Sequence, residues 1–262
     1  MKKLTLFFWL MVTVHCGFAQ NNAKPAKGTT LPDIATIKAN LDQQFTSRDF
    51  AKLWTKTTND CIYGFIGDQY QRIRVKFISV KKMPGTNIYT VAGKSMVKTN
   101  ICDFKGTIAI INVSKLENIS YGVDDRYKNK GIKGQFVIKG NYIFAETKGQ
   151  PHSGIFEGNF KTSFYLDRSN NIIYDDIDLD ADGYTNNEFT GNWKMYNSNF
   201  IQRCNWGDFR VPNCGDLDIG AGEFSPNNKY LKYGWQSVRD AYVGNKPNSK
   251  MALKTEKGEW WK

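Results

Sequence analysis

Histidine is almost missing: the chain has two in 262 residues, His15 and His152. A zinc site built on histidine is therefore disfavoured, and no close-spaced Cys/His ligand pairs make up for it. A Ser/His/Asp triad has only His152 to draw on beyond the N-terminus. Its setting, Gln150-Pro151-His152-Ser153-Gly154, reads as a turn and has no nucleophile-elbow pattern. The phosphate-cradling Gly-Lys-Ser/Thr loop and the dinucleotide Gly fingerprint are also absent. Ala and Leu are scarce, which weighs against a helical protein. No dense arginine-rich segment argues for nucleic acid. No apolar run reaches the roughly 20 residues that a membrane helix needs.

The longest apolar run, Leu4 to Val14, follows Met1-Lys2-Lys3 and leads to Gly17-Phe18-Ala19. A positive start, a short apolar stretch and small residues at −3 and −1 describe a secretory signal cleaved after Ala19. Cys16 is a poor lipid anchor, because bulky His15 stands where a small residue is wanted. Removing residues 1–19 takes away Lys2 and Lys3 and lowers the formal charge from +11 to +9. The positive excess favours acidic partners such as an anionic envelope polysaccharide. The basic residues are scattered, however, and the densest cluster, Lys128 to Lys133, reads as a solvated loop.

Cys61, Cys102, Cys204 and Cys214 remain after cleavage. An even number in an oxidising compartment suggests two disulfides. Four cysteines allow three pairings. The preferred one joins Cys204 to Cys214, which closes a short loop, and Cys61 to Cys102, which ties two strand regions.

Residues 20–30 read as a flexible leader and 31–56 as a helical segment. Ile34, Ile37, Leu41 and Phe45 recur on one helical face, and a second short turn carries Phe50, Leu53 and Trp54. The period then changes. Arg72 to Val80 alternates basic with apolar residues, which predicts a strand with one face buried and the other wet and positive. Pro84-Gly85 marks a turn, and strand patterning resumes through Tyr89-Thr90-Val91 and Met96-Val97.

A weak repeat follows, of the form aromatic-x-Gly-x-apolar. It reads Phe104-Lys105-Gly106-Thr107-Ile108, Phe156-Glu157-Gly158-Asn159-Phe160 and Phe189-Thr190-Gly191-Asn192-Trp193, with a looser copy around Gly140. In a strand those three positions share a face. Glycine there lets an aromatic cover the backbone or the sheet bend sharply. The expected fold is therefore mainly β: an antiparallel meander over 57–200 that curls into a barrel or sandwich, with an N-terminal helix. A loop-rich C-terminal extension of the same domain covers 201–262. Trp235 and Tyr242 ride on a short helix or tail there, and Trp260 and Trp261 are either docked or exposed.

Several blocks resemble a secreted protein family of Bacteroidetes-type bacteria. They are Phe65 to Ile73, Asn100 to Ile108, Cys204 to Pro212 and Gly215 to Pro226. The resemblance covers most of the exported chain and implies a compartment and a source. It brings no established activity and no catalytic residues. It also implies a Ser or similar small residue at the place of Cys214, which weighs against the Cys204–Cys214 bridge.

Two segments could carry chemistry. Asp178-Leu179-Asp180-Ala181-Asp182-Gly183 begins like a calcium loop, but Phe189 stands where the twelfth-position Glu belongs, and Glu188 falls one place early. The preferred reading is a strand over Ile172 to Asp182 closed by a hairpin turn at Asp182-Gly183. The row of Asp side chains then calls for Lys/Arg partners or a cation opposite. No cofactor other than calcium suggests itself. The block 204–226 holds Trp206, Asp208, Arg210, Asp216, Asp218 and Glu223. Trp206, Asp208 and Arg210 could bind a sugar, or two of the four carboxylates could act as an acid/base pair in glycoside hydrolysis. The alternative is a tight loop whose Asp side chains cap backbone N–H groups and pair with Arg210. The expectation is a secreted or periplasmic, non-catalytic binding module for a glycan or other acidic partner. A carboxylate-dependent hydrolase and a structural envelope protein are the alternatives.

Overall fold

The structure, a computed structural model, describes residues 43–242 and 249–262. The signal, the leader and most of the N-terminal helix lie outside the described residues. The described residues form nine strands: β1 Ile62–Ile66, β2 Gln71–Lys82, β3 Ile88–Val97, β4 Asn100–Lys115, β5 Gly134–Glu146, β6 Gly154–Leu166, β7 Ile172–Tyr174, β8 Asn186–Met195 and β9 Ile201–Asp208. All pairings are antiparallel. β1 to β6 form a meander, β8 continues it from β6, and β9 returns to pair with β1 at Gly64↔Trp206. Eight strands thus close an up-and-down barrel. β7 is a flange that pairs only with the far end of β6, at Leu166↔Ile172.

The aromatic-x-Gly-x-apolar repeat explains the tight curvature. Its members lie in β4, β6 and β8, and their aromatics face inward. Gly158 and Gly191 sit directly opposite each other. A Cβ on Gly158 would stand 2.1 Å from the Thr190 carbonyl oxygen, and one on Gly191 would stand 2.1 Å from that of Glu157. Only glycine allows the two backbones to approach this closely. The freed interior is filled by rings. Phe189 stacks on Trp206 at 4.9 Å, and Phe104 on Phe144 at 5.1 Å.

Many outward positions on β4, β5, β6 and β8 are polar, including Asp103, Lys105, Lys139, Glu157, Asn159, Lys161 and Asn192, with Ile101, Ile143 and Ile155 scattered among them. This is the reverse of a lipid-facing barrel, which turns apolar residues outward. Among the described residues no helix is long and apolar enough to cross a membrane.

One end of the barrel is stoppered. A helical turn, α1 Gln43–Thr46, and the 3-10 turn Ala51–Thr55 lie across it. Phe45 meets Phe136 and Phe164 at 5.1 and 5.6 Å, and Trp54 meets Tyr89 and Phe160 at 5.0 and 5.6 Å. The expected second turn carrying Phe50, Leu53 and Trp54 is therefore part of the core.

Four expectations need correction. First, the loop-rich extension begins after β9, at 209 rather than 201. Cys204 and Trp206 alternate inward with outward Arg203 and Asn205, and the strand supplies the barrel's closing edge.

Second, the basic face of β2 is not wet. Arg72 and Arg74 are buried beneath the C-terminal segment, which includes α2 Gln236–Tyr242 and α3 Ser249–Lys257. Arg72 grips the buried Glu256 with two bonds, of 2.8 and 2.5 Å. Trp235, Trp260 and Trp261 dock over Arg72, Arg74 and Lys76 at 5.5, 5.7 and 4.8 Å.

Third, the four cysteines among the described residues, Cys61, Cys102, Cys204 and Cys214, are free. Cys204 points into the barrel beside Ile66, whereas Cys214 packs with Tyr63, Phe65 and Trp235 on the outer side of β1. Cys61 sits at the stoppered end, and Cys102 lies near the opposite mouth, against Pro151. Each expected pair is separated by the barrel wall or by its length.

Fourth, the strand expected over Ile172 to Asp182 stops at Tyr174. Residues 175–184 form turns that follow the flange.

Candidate functional site

The two ends of the barrel are chemically unlike. At the stoppered end, Asp208 closes β9 and is fully enclosed. Its carboxylate accepts bonds from Thr57 Oγ1 at 2.6 Å, Tyr174 OH at 2.9 Å and Asn187 Nδ2 at 2.7 Å. Asn187 sits at a bulge in β8 with φ 46° and also donates to the Leu53 carbonyl, while its own oxygen accepts from Thr162. Thr162 in turn accepts from Trp54 Nε1. The network ties the stopper to the wall. Burial pushes the Asp208 carboxyl up to about 6, although Thr57, Tyr174 and Asn187 oppose that rise. Nearby Asp175 is also pushed up to about 6, mainly by burial. The residual space beside Asp208 is about 20 Å³, too small for a ligand.

The other end is open. Its rim consists of the β1–β2, β3–β4, β5–β6 and β8–β9 turns, around a cup of about 750 Å³. That volume is in the range of small-molecule sites, and the mouth of a barrel is a usual place for one. Ile66, Val97, Phe156, Trp193 and Met195 form apolar walls, and Gln69, Gln71, Asn100 and Gln202 add amides. Phe200 stands at the rim, 47 % exposed, with its edge towards Trp193.

Glu146 is the chemical centre of the cup. It ends β5 at the inward register shared by Ile138, Gly140, Tyr142 and Phe144. The residue is 5 % exposed, yet it lines the cup. Its Oε1 accepts from Ser95 Oγ, and its Oε2 accepts from Gly154 N–H at 2.8 Å and Trp193 Nε1 at 2.9 Å. Tyr196 OH donates to its backbone carbonyl at 2.8 Å. Burial raises the carboxyl above its ordinary value, and the bonds from Ser95, Trp193 and Gly154 pull it back. No Lys or Arg forms an ion pair with it among the described residues. A carboxylate offers about four acceptor positions, and three are used here. Burial and the charge of Glu146 push the Cys102 thiol up to about 11, which keeps it protonated and inert.

The residues singled out in the sequence are placed as follows. Trp206 is core, between Phe189 and Tyr142. Arg210 binds the carbonyls of Gly220, Ala221 and Gly222 and pairs with Asp218. Asp218 also accepts from the N–H groups of Gly220 and Ser225. Asp216 holds Lys229 and Tyr230 on the surface. These three residues make the tight, self-bonded loop that was the alternative to a ligand site. Asp208, Asp216 and Asp218 each answer to different partners. Glu223 instead lines an outer groove of about 530 Å³ with Asp180, Asp182, Tyr63, Tyr184 and Phe209.

In the acidic stretch, Asp178 accepts from Ser120 and Asp180 pairs with Arg126, but residues 175–184 are turns, so the expected strand-borne row of Asp side chains does not form. Asp182 lies beside Gly222. Among the described residues no three His, Cys, Asp or Glu side chains gather as metal ligands.

Sequence reasoning passed over Glu146 and Ser95. The available signal was the inward alternation of β5, which continues past Phe144 and puts a carboxylate where an apolar residue belongs.

No family model matches the chain, and neither does any curated protein or solved structure.

Proposed function

We propose that this chain is an exported, non-catalytic binding protein that takes a small organic ligand into the cup at the open end of its barrel. The observation that carries the reading is the pairing of a 750 Å³ opening with a buried carboxylate on its wall. A barrel with only structural duties has no need of either. The remainder of the interior is packed with rings, and so the open space is confined to the mouth. Export rests on the signal-like residues 1–19 and agrees with the resemblance to a secreted family. The carboxylates in the cup, Glu146 and Asp68, argue against a polyanion as its occupant, despite the positive charge of the whole chain. Hydrolysis by the 204–226 block has less support, because Asp208, Asp216 and Asp218 are each occupied by separate structural bonds.

A screen of neutral sugars, alcohols and amines by thermal shift and calorimetry tests the reading. Binding by at least one class is expected, and Met195→Trp, which fills the cup from its wall, should abolish it. Binding that survives this change, or none in any class, would overturn the proposal. Export is tested separately by mass spectrometry of the secreted chain, with an N-terminus at Gln20 expected.

A further inference from the structure

Glu146 says more about the occupant than the cup's size does. Taking an ionised carboxylate out of water is costly unless its acceptor positions are filled. The protein fills three of them with neutral donors, from Ser95, Gly154 and Trp193. Among the described residues no cationic side chain completes the set. Asp208 at the far end shows that this fold can enclose a carboxylate completely when it has only a structural task. Glu146 faces open space instead. The other ionisable side chains on the lining are Asp68, Lys98 and His152, all at exposed turns of the rim. Glu146 is thus the one ionisable side chain of the lining that is buried, and no lysine or arginine shares that position. Next to Glu146 the wall is apolar, formed by Phe156, Trp193 and Met195.

We propose that the cup's ligand is a small organic cation, an amine on a compact apolar body, whose ammonium group meets Glu146 while the body lies against Phe156, Trp193 and Met195. The inference rests on the reading of the cup as a binding site and adds the ligand's charge. The ammonium group supplies the missing donor and the missing countercharge together. Charge-assisted bonds of this type are the stronger ones. Trp193 is held by Glu146 through its Nε1, so the same carboxylate fixes both the charged and the apolar contact.

The test is a calorimetric titration of the protein with 2-phenylethylamine and with 2-phenylethanol, its uncharged counterpart of nearly the same shape. The amine is expected to bind about ten- to a hundredfold more tightly than the alcohol, the ratio that one charge-assisted bond confers. Glu146→Gln keeps an acceptor for Trp193 and Gly154 but removes the charge. It should bring the amine's affinity down to that of the alcohol and leave the alcohol's affinity within about twofold. Met195→Trp should abolish both without touching Glu146, which covers the case of a Glu146 variant that does not fold. Equal binding of the two probes, an amine affinity unchanged in Glu146→Gln, or no amine binding would each overturn the inference. If the alcohol or a neutral sugar still binds and Met195→Trp blocks it, the cup remains a ligand site and only its charge preference falls.

Discussion

Asp208 at one end of this barrel and Glu146 at the other are both buried carboxylates, and the two ends treat them differently. Asp208 is surrounded by the protein's own donors, with no room left beside it. Glu146 is nearly as buried, but one side of it faces a 750 Å³ cup. Burial alone therefore does not distinguish these two acids. What separates them is whether the surroundings are complete. At the closed end the acid locks a stopper to a wall. At the open end an equivalent acid has neutral donors on one side and space on the other.

The largest effect expected is at the stopper. Trp54→Ala removes a ring packed on Tyr89 and Phe160 and should cost about 3–5 kcal/mol in urea unfolding. Affinity for a cup ligand should not change at temperatures where the variant stays folded. A parallel loss of affinity would break the division between the ends.

The two acids come next. Asp208→Ala leaves the donors of Thr57, Tyr174 and Asn187 without a partner and should cost roughly 3 kcal/mol. Glu146→Gln keeps a carbonyl for its donors and should cost less than about 1 kcal/mol. Similar losses from the two would erase the contrast.

The pH response sharpens it further. The folded-state value of Asp208, about 6, lies above the ordinary unfolded value near 4. The folded state thus holds more protons between those limits, and stability from this group falls as pH rises from about 4 to 6. Its contribution is complete below about pH 4. Wild type relative to Asp208→Asn should gain about 2 kcal/mol between pH 7 and pH 4.5. Glu256 works in the opposite sense. Burial disfavours its ionised form, but Arg72 and Arg74 hold its carboxyl below the usual range, and its contribution is lost as pH falls through that low value. That loss is common to both proteins and cancels in the difference. A flat difference would show that Asp208 is ionised throughout.

The smallest effect is at the rim. Phe200→Ala touches a side chain that is 47 % exposed and should change stability by less than about 0.5 kcal/mol, as measured by urea midpoint.

Much of the fold was legible because its determinants are local. The aromatic-x-Gly-x-apolar repeat set the inward face of β4, β6 and β8, and its glycines explain why the sheet could curl into a small barrel. Phe50, Leu53 and Trp54 announced a buried turn through their spacing alone. The errors came from partners far away in the chain. Arg72 and Arg74 alternate as a wet face should, and it is the C-terminal segment, with Glu256 184 residues beyond Arg72 and Trp235 and Trp260 over the two guanidinium groups, that makes them interior. Counting cysteines could not show that Cys204 and Cys214 lie on opposite sides of one strand. The site was the least legible part. Glu146, Ser95 and Trp193 come from three strands, and no spacing between them is fixed until the register is known. By contrast, the conspicuous Asp and Gly content of 204–226 serves mainly to bond a loop to itself.

The seam between β1 and β9 has a consequence for the order in which the molecule assembles. Every other wall of the barrel is a contact between near neighbours in the chain, and such contacts form quickly. The seam joins Gly64 to Trp206, and it cannot be made until β9 is in place. β1 has five residues, and its outer side chains Tyr63 and Phe65 lie under Val211, Phe224 and Trp235 from the extension. The last wall to form is therefore also the one strapped from outside. The extension lies as a latch across the contact whose two strands are farthest apart in the chain, the one that loop-closure entropy most disfavours.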